Sequence, residues 1–207
     1  MTDTAGAGPA GRGRYHHGGL PDALVQTAIA LIGERGPAAF SMAEASRRLG
    51  VAPSAPYRHF ADRDALLAAV AARAAGLLGE MLGRTAASGS PEQRLAAAAE
   101  SYVRFASEHS ALFQALAGSG LDKARHPEID RAARPIGAAF LSPAAELTGG
   151  DKAAGARLVS AIVATAHGHA MLLLDGTFGP GQQAADAAAR QAATAALALI
   201  NGREALS

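Results

Sequence analysis

Residues 41–60 read SMAEASRRLGVAPSAPYRHF, and their punctuation lays out two short helices around a tight turn. Ser41 and Glu44 have the spacing of a capping box, in which the hydroxyl accepts from the N–H three residues on and the carboxylate reaches back. Met42, Ala45 and Leu49 fall on one face of the helix that follows, and Gly50 ends it. Val51 is predicted to plug into the core between two helices. A second short helix is predicted from Ala52-Pro53 to Phe60. This is a helix-turn-helix layout, whose second helix seats in the major groove of DNA while the first crosses the backbone.

The residue types suit that task. Pro53, Ser54 and Ala55 are small and stand at the leading end, where backbone and bases come close. Ser54 suits a base edge or a phosphate, and Ala55 suits a thymine methyl. Tyr57, Arg58 and His59 offer donors to phosphates, which position a protein without reading sequence. Arg63 follows at the start of the next helix, where an N-terminus also favours phosphate. Two short helices joined by Gly also occur where no DNA is bound, and Tyr57 and Phe60, three apart, also suit a core.

Outward from this segment, a preceding helix is expected from Pro21 to Arg35. It carries Leu24, Ala28, Leu31 and Ile32 as one apolar stripe and is stopped by Gly36-Pro37. A following helix starts at Asp62, a good N-cap, and presents Leu66, Leu67, Val70, Leu77, Leu78 and Met81. Ser90-Pro91 opens a second capping box that closes on Gln93. Long helices are expected over 91–108, 110–117, 127–148, 151–174 and 181–201, with Pro135 and Pro143 kinking or splitting the third of them. The fold class is therefore all-α: a three-helix N-terminal domain over 14–74, then a larger helical bundle over 75–207, with 1–13 read as a disordered tail.

Composition agrees. Of 207 residues, 49% are hydrophobic and only 4% aromatic, so small aliphatic side chains must fill the core. Cys is absent, which excludes disulfides, thiolate metal sites and Cys nucleophiles. No run of 18 apolar residues occurs and residues 1–13 lack the apolar region of a secretory signal, so a cytoplasmic protein without membrane contact is expected. Net charge is +1, yet all the basic residues between 11 and 64 are Arg (12, 14, 35, 47, 48, 58 and 63), the better residue for forked contacts to phosphate and guanine. Arg14 lies in a basic segment, GRGRYHH from Gly11, for which two readings stand: an arm entering the minor groove, or a tail free in solution. His16 and His17 have no acidic partner nearby, so no metal is assigned, and no cofactor is expected. No G-x-S-x-G, H-E-x-x-H or phosphate loop occurs, and an enzyme is not expected.

Taken together, YHHGGL from Tyr15, ERGPAAFSMAEASRRLGV from Glu34 and APYRHFADRDALL from Ala55 resemble the tetracycline-repressor (TetR) family of bacterial regulators. The resemblance implies a three-helix DNA-binding head on a helical regulatory domain, a homodimer, and double-stranded DNA with a palindromic operator as partner. Carried over, it makes Ser41, Pro53, Ser54, Ala55, Tyr57, Arg58, His59 and Arg63 the DNA-facing candidates. The last of these is more often Lys in the family. Later in the chain, HGHAMLLLDG from His167 is similar to the signature of a TetR subgroup named for a Trp-His-Gly pattern, although Val163 stands near where the Trp would fall and the chain has no Trp.

By the same resemblance the last two long helices pair with their copies as the dimer interface. A small-molecule effector pocket is expected inside the bundle, where ligand sites of helical proteins form. Phe105, Phe113, Leu116, His167, Met171 and Leu172 are its candidate wall, and the effector is expected to be apolar. Plain core packing would also account for each of these residues, and a hydrogen-bonded core His would account for His167. His167 and His169, two apart on a helix, point to different faces and do not make a metal pair.

Overall fold

The computed structural model describes residues 19–206, and among these every regular element is helical. Arg14 and the tail expected over 1–13 lie outside the described residues. The order is α1 (Leu20–Arg35), α2 (Met42–Leu49), a single 3-10 turn (Pro56–Arg58), α3 (Arg63–Thr85), α4 (Pro91–Glu108), α5 (Ser110–Gly118), a 3-10 turn (Lys123–Arg125), α6 (Pro127–Leu147), α7 (Lys152–Leu174), α8 (Gln182–Asn201) and a final 3-10 turn (Arg203–Leu206).

Local chemistry sets most of these boundaries. Both halves of the capping box at Ser90 and Gln93 are made, and α4 begins at Pro91. Asp62 and Asp151 accept from backbone N–H groups at the starts of α3 and α7. The box expected at Ser41 is only half made: the Ser41 hydroxyl accepts from Glu44 N–H at 3.2 Å, but the Glu44 carboxylate turns to Arg47 and Arg48, three and four residues on. Charge-assisted bonds to guanidinium groups outcompete a neutral backbone donor.

The helix expected over 52–60 is not formed. Ala55 N–H donates to Ala52 O, Arg58 N–H to Ala55 O and His59 N–H to Pro56 O, all three-residue bonds, and only Phe60 N–H reaches four residues back, to Pro56 O at 3.0 Å. Pro56 has no N–H to give to the Ala52 carbonyl, so the four-residue ladder cannot start there and the chain tightens into 3-10 geometry. α6, in contrast, runs through Pro135 and Pro143 without splitting.

Two layers of packing result. α1 packs on both α2 and α3, and Leu24, Ala28, Leu31, Ile32, Met42 and Ala45 are buried. α3 then runs on as the spine of the body, against α6, α5 and α4, with Leu66, Leu67, Leu78 and Leu82 fully buried. Each such leucine contributes about 1.5–3 kcal/mol by leaving water. A single apolar cluster runs from Leu24 to Ile200, so head and body share one core. α3 comes close to α6 at Gly79, where a Cβ would stand 2.9 Å from Pro135 Cβ. α8 closes the bundle against α4 and α7 through Ala188, Ala189, Ala192 and Ala196.

α3 and α7 are each long and apolar enough to cross a membrane by length and composition. α3 is a core helix, with more than half of its apolar stretch buried, whereas less than a quarter of the α7 stretch is. α7 packs on α8, α4 and α6 and leaves a small, apolar face uncovered at Ala153, Ala156, Ala164 and Met171.

Candidate nucleic-acid interface and effector cavity

The turn between α2 and the 3-10 segment is built on Gly50, which takes φ 65° and ψ 29°. Its N–H donates to Arg47 O, and Val51 N–H donates to Ser46 O. These are the paired bonds of a Schellman stop, and the left-handed residue at its centre is cheap only as glycine. Val51 turns inward and is half-buried, and Pro56 is buried, with the 3-10 turn seated on α1. Those two anchors hold the loop between them against the head.

The same anchoring turns the polar residues out. Ser41, Pro53, Ser54, Tyr57, Arg58 and His59 are exposed, Tyr57 by 56%, and Ala55 is half-buried. Among the described residues, no hydrogen bond or ion pair engages the side chains of Ser54, Tyr57, Arg58 or His59. Their donors are free for an external acceptor.

Three other arginines of the head, Arg47, Arg48 and Arg63, are spent internally. Arg48 Nη1 donates to Glu34 at 2.6 Å, and Arg48 Nε also reaches Glu44, which clamps α2 to the C-terminal end of α1. Hydrogen bonds from Arg48 hold the Glu34 carboxyl below its ordinary value, and those from Arg47 do the same for Glu44. Arg63 does not stand out toward solvent as a free phosphate contact. Its guanidinium donates to the carbonyls of Phe40 at 3.0 Å and Pro37 at 2.5 Å, and touches Asp64 at 3.3 Å. It fastens the α1–α2 connection, whose carbonyls lack helical partners, to the start of α3.

The body holds a cavity of about 650 Å³ between α3, α4, α5, α6 and α7. Leu116 and His167, expected in its wall, are there. Phe105 and Phe113 are not: both are about 1% exposed and belong to the core behind it. Met171 and Leu172 lie on the outer surface, 40% and 44% exposed. A helix turns about 100° per residue, so Leu172 has rotated away from the side that carries His167, and Met171, a full turn on, lies past the end of the cavity.

The residue that sequence reasoning missed is Tyr102. Its hydroxyl lies 3.2 Å from His167 Nδ1, and both rings pack against Phe113, at centroid distances of 5.6 and 5.8 Å. Burial pushes the Tyr102 phenol up to about 12, so it remains a neutral donor. A signal existed, since Tyr102 is the one tyrosine beyond the head and a buried tyrosine needs a partner for its O–H. The partner stands 65 residues away, which no local pattern could show. Ser160 also lines the cavity with His167, but no carboxylate does.

Comparison with known proteins bears on both halves. The family described as bacterial regulatory proteins, tetR family, matches residues 24–70, and a tetracyclin repressor-like C-terminal domain matches residues 95–196. No curated protein matches. Among solved structures, one of a protein with unknown function from Rhodococcus sp. RHA1 is 26% identical, with TM-score 0.71 over 89% of this chain and 96% of that one. A bacterial regulatory protein in the tetR family from Rhodococcus RHA1 is 18% identical, with TM-score 0.66 over 88% and 97%. A TetR family transcriptional regulator from Thermus thermophilus is 20% identical, with TM-score 0.60 over 84% and 97%. At those identities the last two speak to the fold alone.

Proposed function

The chain belongs to the TetR family of bacterial regulatory proteins, as a DNA-binding transcriptional regulator rather than an enzyme, and we propose that it is a ligand-responsive repressor that binds an inverted-repeat operator as a homodimer. The observation that carries this reading is the run from Pro53 to His59, held by Val51 and Pro56 while Ser54, Tyr57, Arg58 and His59 face outward with their donors unspent. Ser54 and Ala55 are assigned to base edges, and Ser41, Tyr57, Arg58 and His59 to phosphates, with Pro53 giving close approach. Arg63 is assigned to bracing the head. The protein is assigned to the cytoplasm, where its DNA is.

The uncovered face of α7, with Leu197 of α8 40% exposed, supports a dimer through the last two long helices. An interface of that kind buries an apolar centre that a monomer would leave in water. Two recognition segments related by the dimer axis would meet successive major grooves, about 34–36 Å apart or slightly more.

Effector control is supported by two helices that touch both halves. α3 starts in the head and lines the cavity with Ala71 and Leu78, and α5 packs on α1 and lines it with Leu116 and Ala117. A ligand that fits one arrangement of these helices better than another shifts the spacing of the heads by its differential affinity.

The test is fluorescence anisotropy of the intact protein on a labelled mixed-sequence duplex between about 50 and 200 mM salt. Affinity that falls steeply across that range is expected, from counterion release at each phosphate contacted. A flat response would contradict DNA binding by this face.

A further inference from the structure

We propose that the cavity takes a neutral, compact, mostly hydrocarbon molecule bearing a carbonyl oxygen, and that the Tyr102–His167 pair selects it. This rests on the reading of the chain as a ligand-responsive regulator and names the chemistry of its effector.

Three observations support it. The cavity, about 650 Å³, is walled chiefly by aliphatic side chains such as Leu116, Ile129, Ile136 and Val163, in the size range of small-molecule sites. No Asp, Glu, Lys or Arg lines it, so a cation finds no carboxylate and an anion no fixed positive charge. A charged ligand would shed part of its hydration there with no opposite charge to compensate.

The third observation is a hydrogen left over. Tyr102 Oη and the His167 ring share one hydrogen bond through Nδ1, at 3.2 Å. If Nδ1 accepts, the ring carries its hydrogen on Nε2, for which no partner exists among the described residues. If Nδ1 donates, the phenol keeps its own hydrogen free. Either tautomer offers one unspent donor, and burial keeps the phenol neutral, with its titration raised to about 12. Phe113 packs against both rings, and both line the cavity, so the donor is offered there. An oxygen acceptor on an otherwise apolar ligand answers it. The Ser119 and Ser160 hydroxyls also line the cavity, but among the described residues no hydrogen bond fixes the direction of either.

The experiment is isothermal titration calorimetry of the full-length protein at about pH 8, where an imidazole is neutral, with four ring-matched probes: 2-acetylnaphthalene, 2-ethylnaphthalene, 2-naphthoate and 2-naphthylmethylammonium. The ketone is expected to bind about tenfold more tightly than the hydrocarbon, the worth of one good hydrogen bond, and both ions more weakly than the hydrocarbon. In Tyr102→Phe/His167→Phe the ketone's advantage should vanish while the hydrocarbon keeps its affinity, which also reports that the cavity is intact. If that variant does not fold, the order of the four probes on the wild type decides.

Equal binding of ketone and hydrocarbon, an ion binding most tightly, or silence from all four would overturn the proposal. DNA binding by the unliganded wild type is measured alongside. Binding to DNA without the ketone preference sinks only the ligand assignment, and a ketone preference without DNA binding sinks the regulatory reading and leaves the cavity chemistry standing.

Discussion

Arg63 reaches back twenty-three residues to Phe40: its Nε donates to the Phe40 carbonyl at 3.0 Å, and its guanidinium carbon lies 6.0 Å from the centre of the Phe40 ring. A side chain placed for phosphate by the resemblance is thus spent on holding the α1–α2 connection. Arg63→Ala is expected to lower the melting stability by about 1–2 kcal/mol, since bonds to a charged group are lost at a half-exposed site. Arg63→Lys should not restore it, because a single ammonium cannot reproduce the fork. Thermal melts of the three proteins check this.

Arg58 is expected to behave in the opposite way. Its side chain is exposed and makes no hydrogen bond or ion pair with the rest of the described chain, so Arg58→Ala should leave the melt within about 0.5 kcal/mol of wild type. It should flatten the dependence of log affinity on log salt by about one unit, the signature of one phosphate contact removed. The pair of variants separates bracing from binding.

The contact between Gly79 and Pro135 sets the spacing of the spine against α6. Gly79→Leu is expected to cost about 1–3 kcal/mol, because its first carbon would stand 2.9 Å from the Pro135 ring. Gly83, one turn on in the same helix, has open space where a Cβ would go, and Gly83→Ala should stabilise by up to about 1 kcal/mol. Denaturant unfolding of both variants tests the claim.

The clamp from Arg48 to Glu34 and Glu44 carries a pH dependence of known sign. Both carboxyls titrate below their ordinary value of 4.5 in the folded protein. Their contribution is therefore complete above that value and disappears as pH falls through the lower, folded-state values. Glu34→Gln should melt below wild type near neutral pH, and the difference should shrink as pH falls through the lowered, folded-state value of Glu34. A difference that grew on acidification would contradict the clamp. The pair is solvent-exposed, so the effect is small.

Much of this architecture is legible in the sequence where one residue's chemistry decides an element. Ser90, Pro91 and Gln93 mark the start of α4, Gly50 marks the turn, and Asp62 opens α3, because caps and stops are local. The expectation at 52–60 fails for an equally local reason: Pro56 stands inside the expected helix, and its missing N–H removes the bond to Ala52 O that would open the four-residue ladder. The cavity is legible only in part. Leu116 and His167 fall in its wall, but helical periodicity alone does not say which apolar side chain faces a void, which faces the core, as Phe105 and Phe113 do, and which faces outward, as Met171 and Leu172 do. That depends on how α4, α5, α6 and α7 are set against one another, which the sequence of any one helix does not contain.

Leu197, exposed on α8, tests the dimer. In the proposed dimer Leu197→Glu would place a charge in an apolar contact, and light scattering coupled to gel filtration should then give the mass of one chain where the wild type is expected to give two. A wild type that already runs as one chain would contradict the dimer.

The most direct test of the central claim is selection of duplexes from a random library by the intact protein, in parallel with Tyr57→Ala, followed by sequencing. Wild type is expected to enrich an inverted repeat with half-site centres about 10 base pairs apart or more, and Tyr57→Ala to lose that enrichment while keeping the wild-type melt. No enriched repeat, or the same repeat enriched equally by Tyr57→Ala, would contradict the assignment of residues 53–59 as the DNA-reading face.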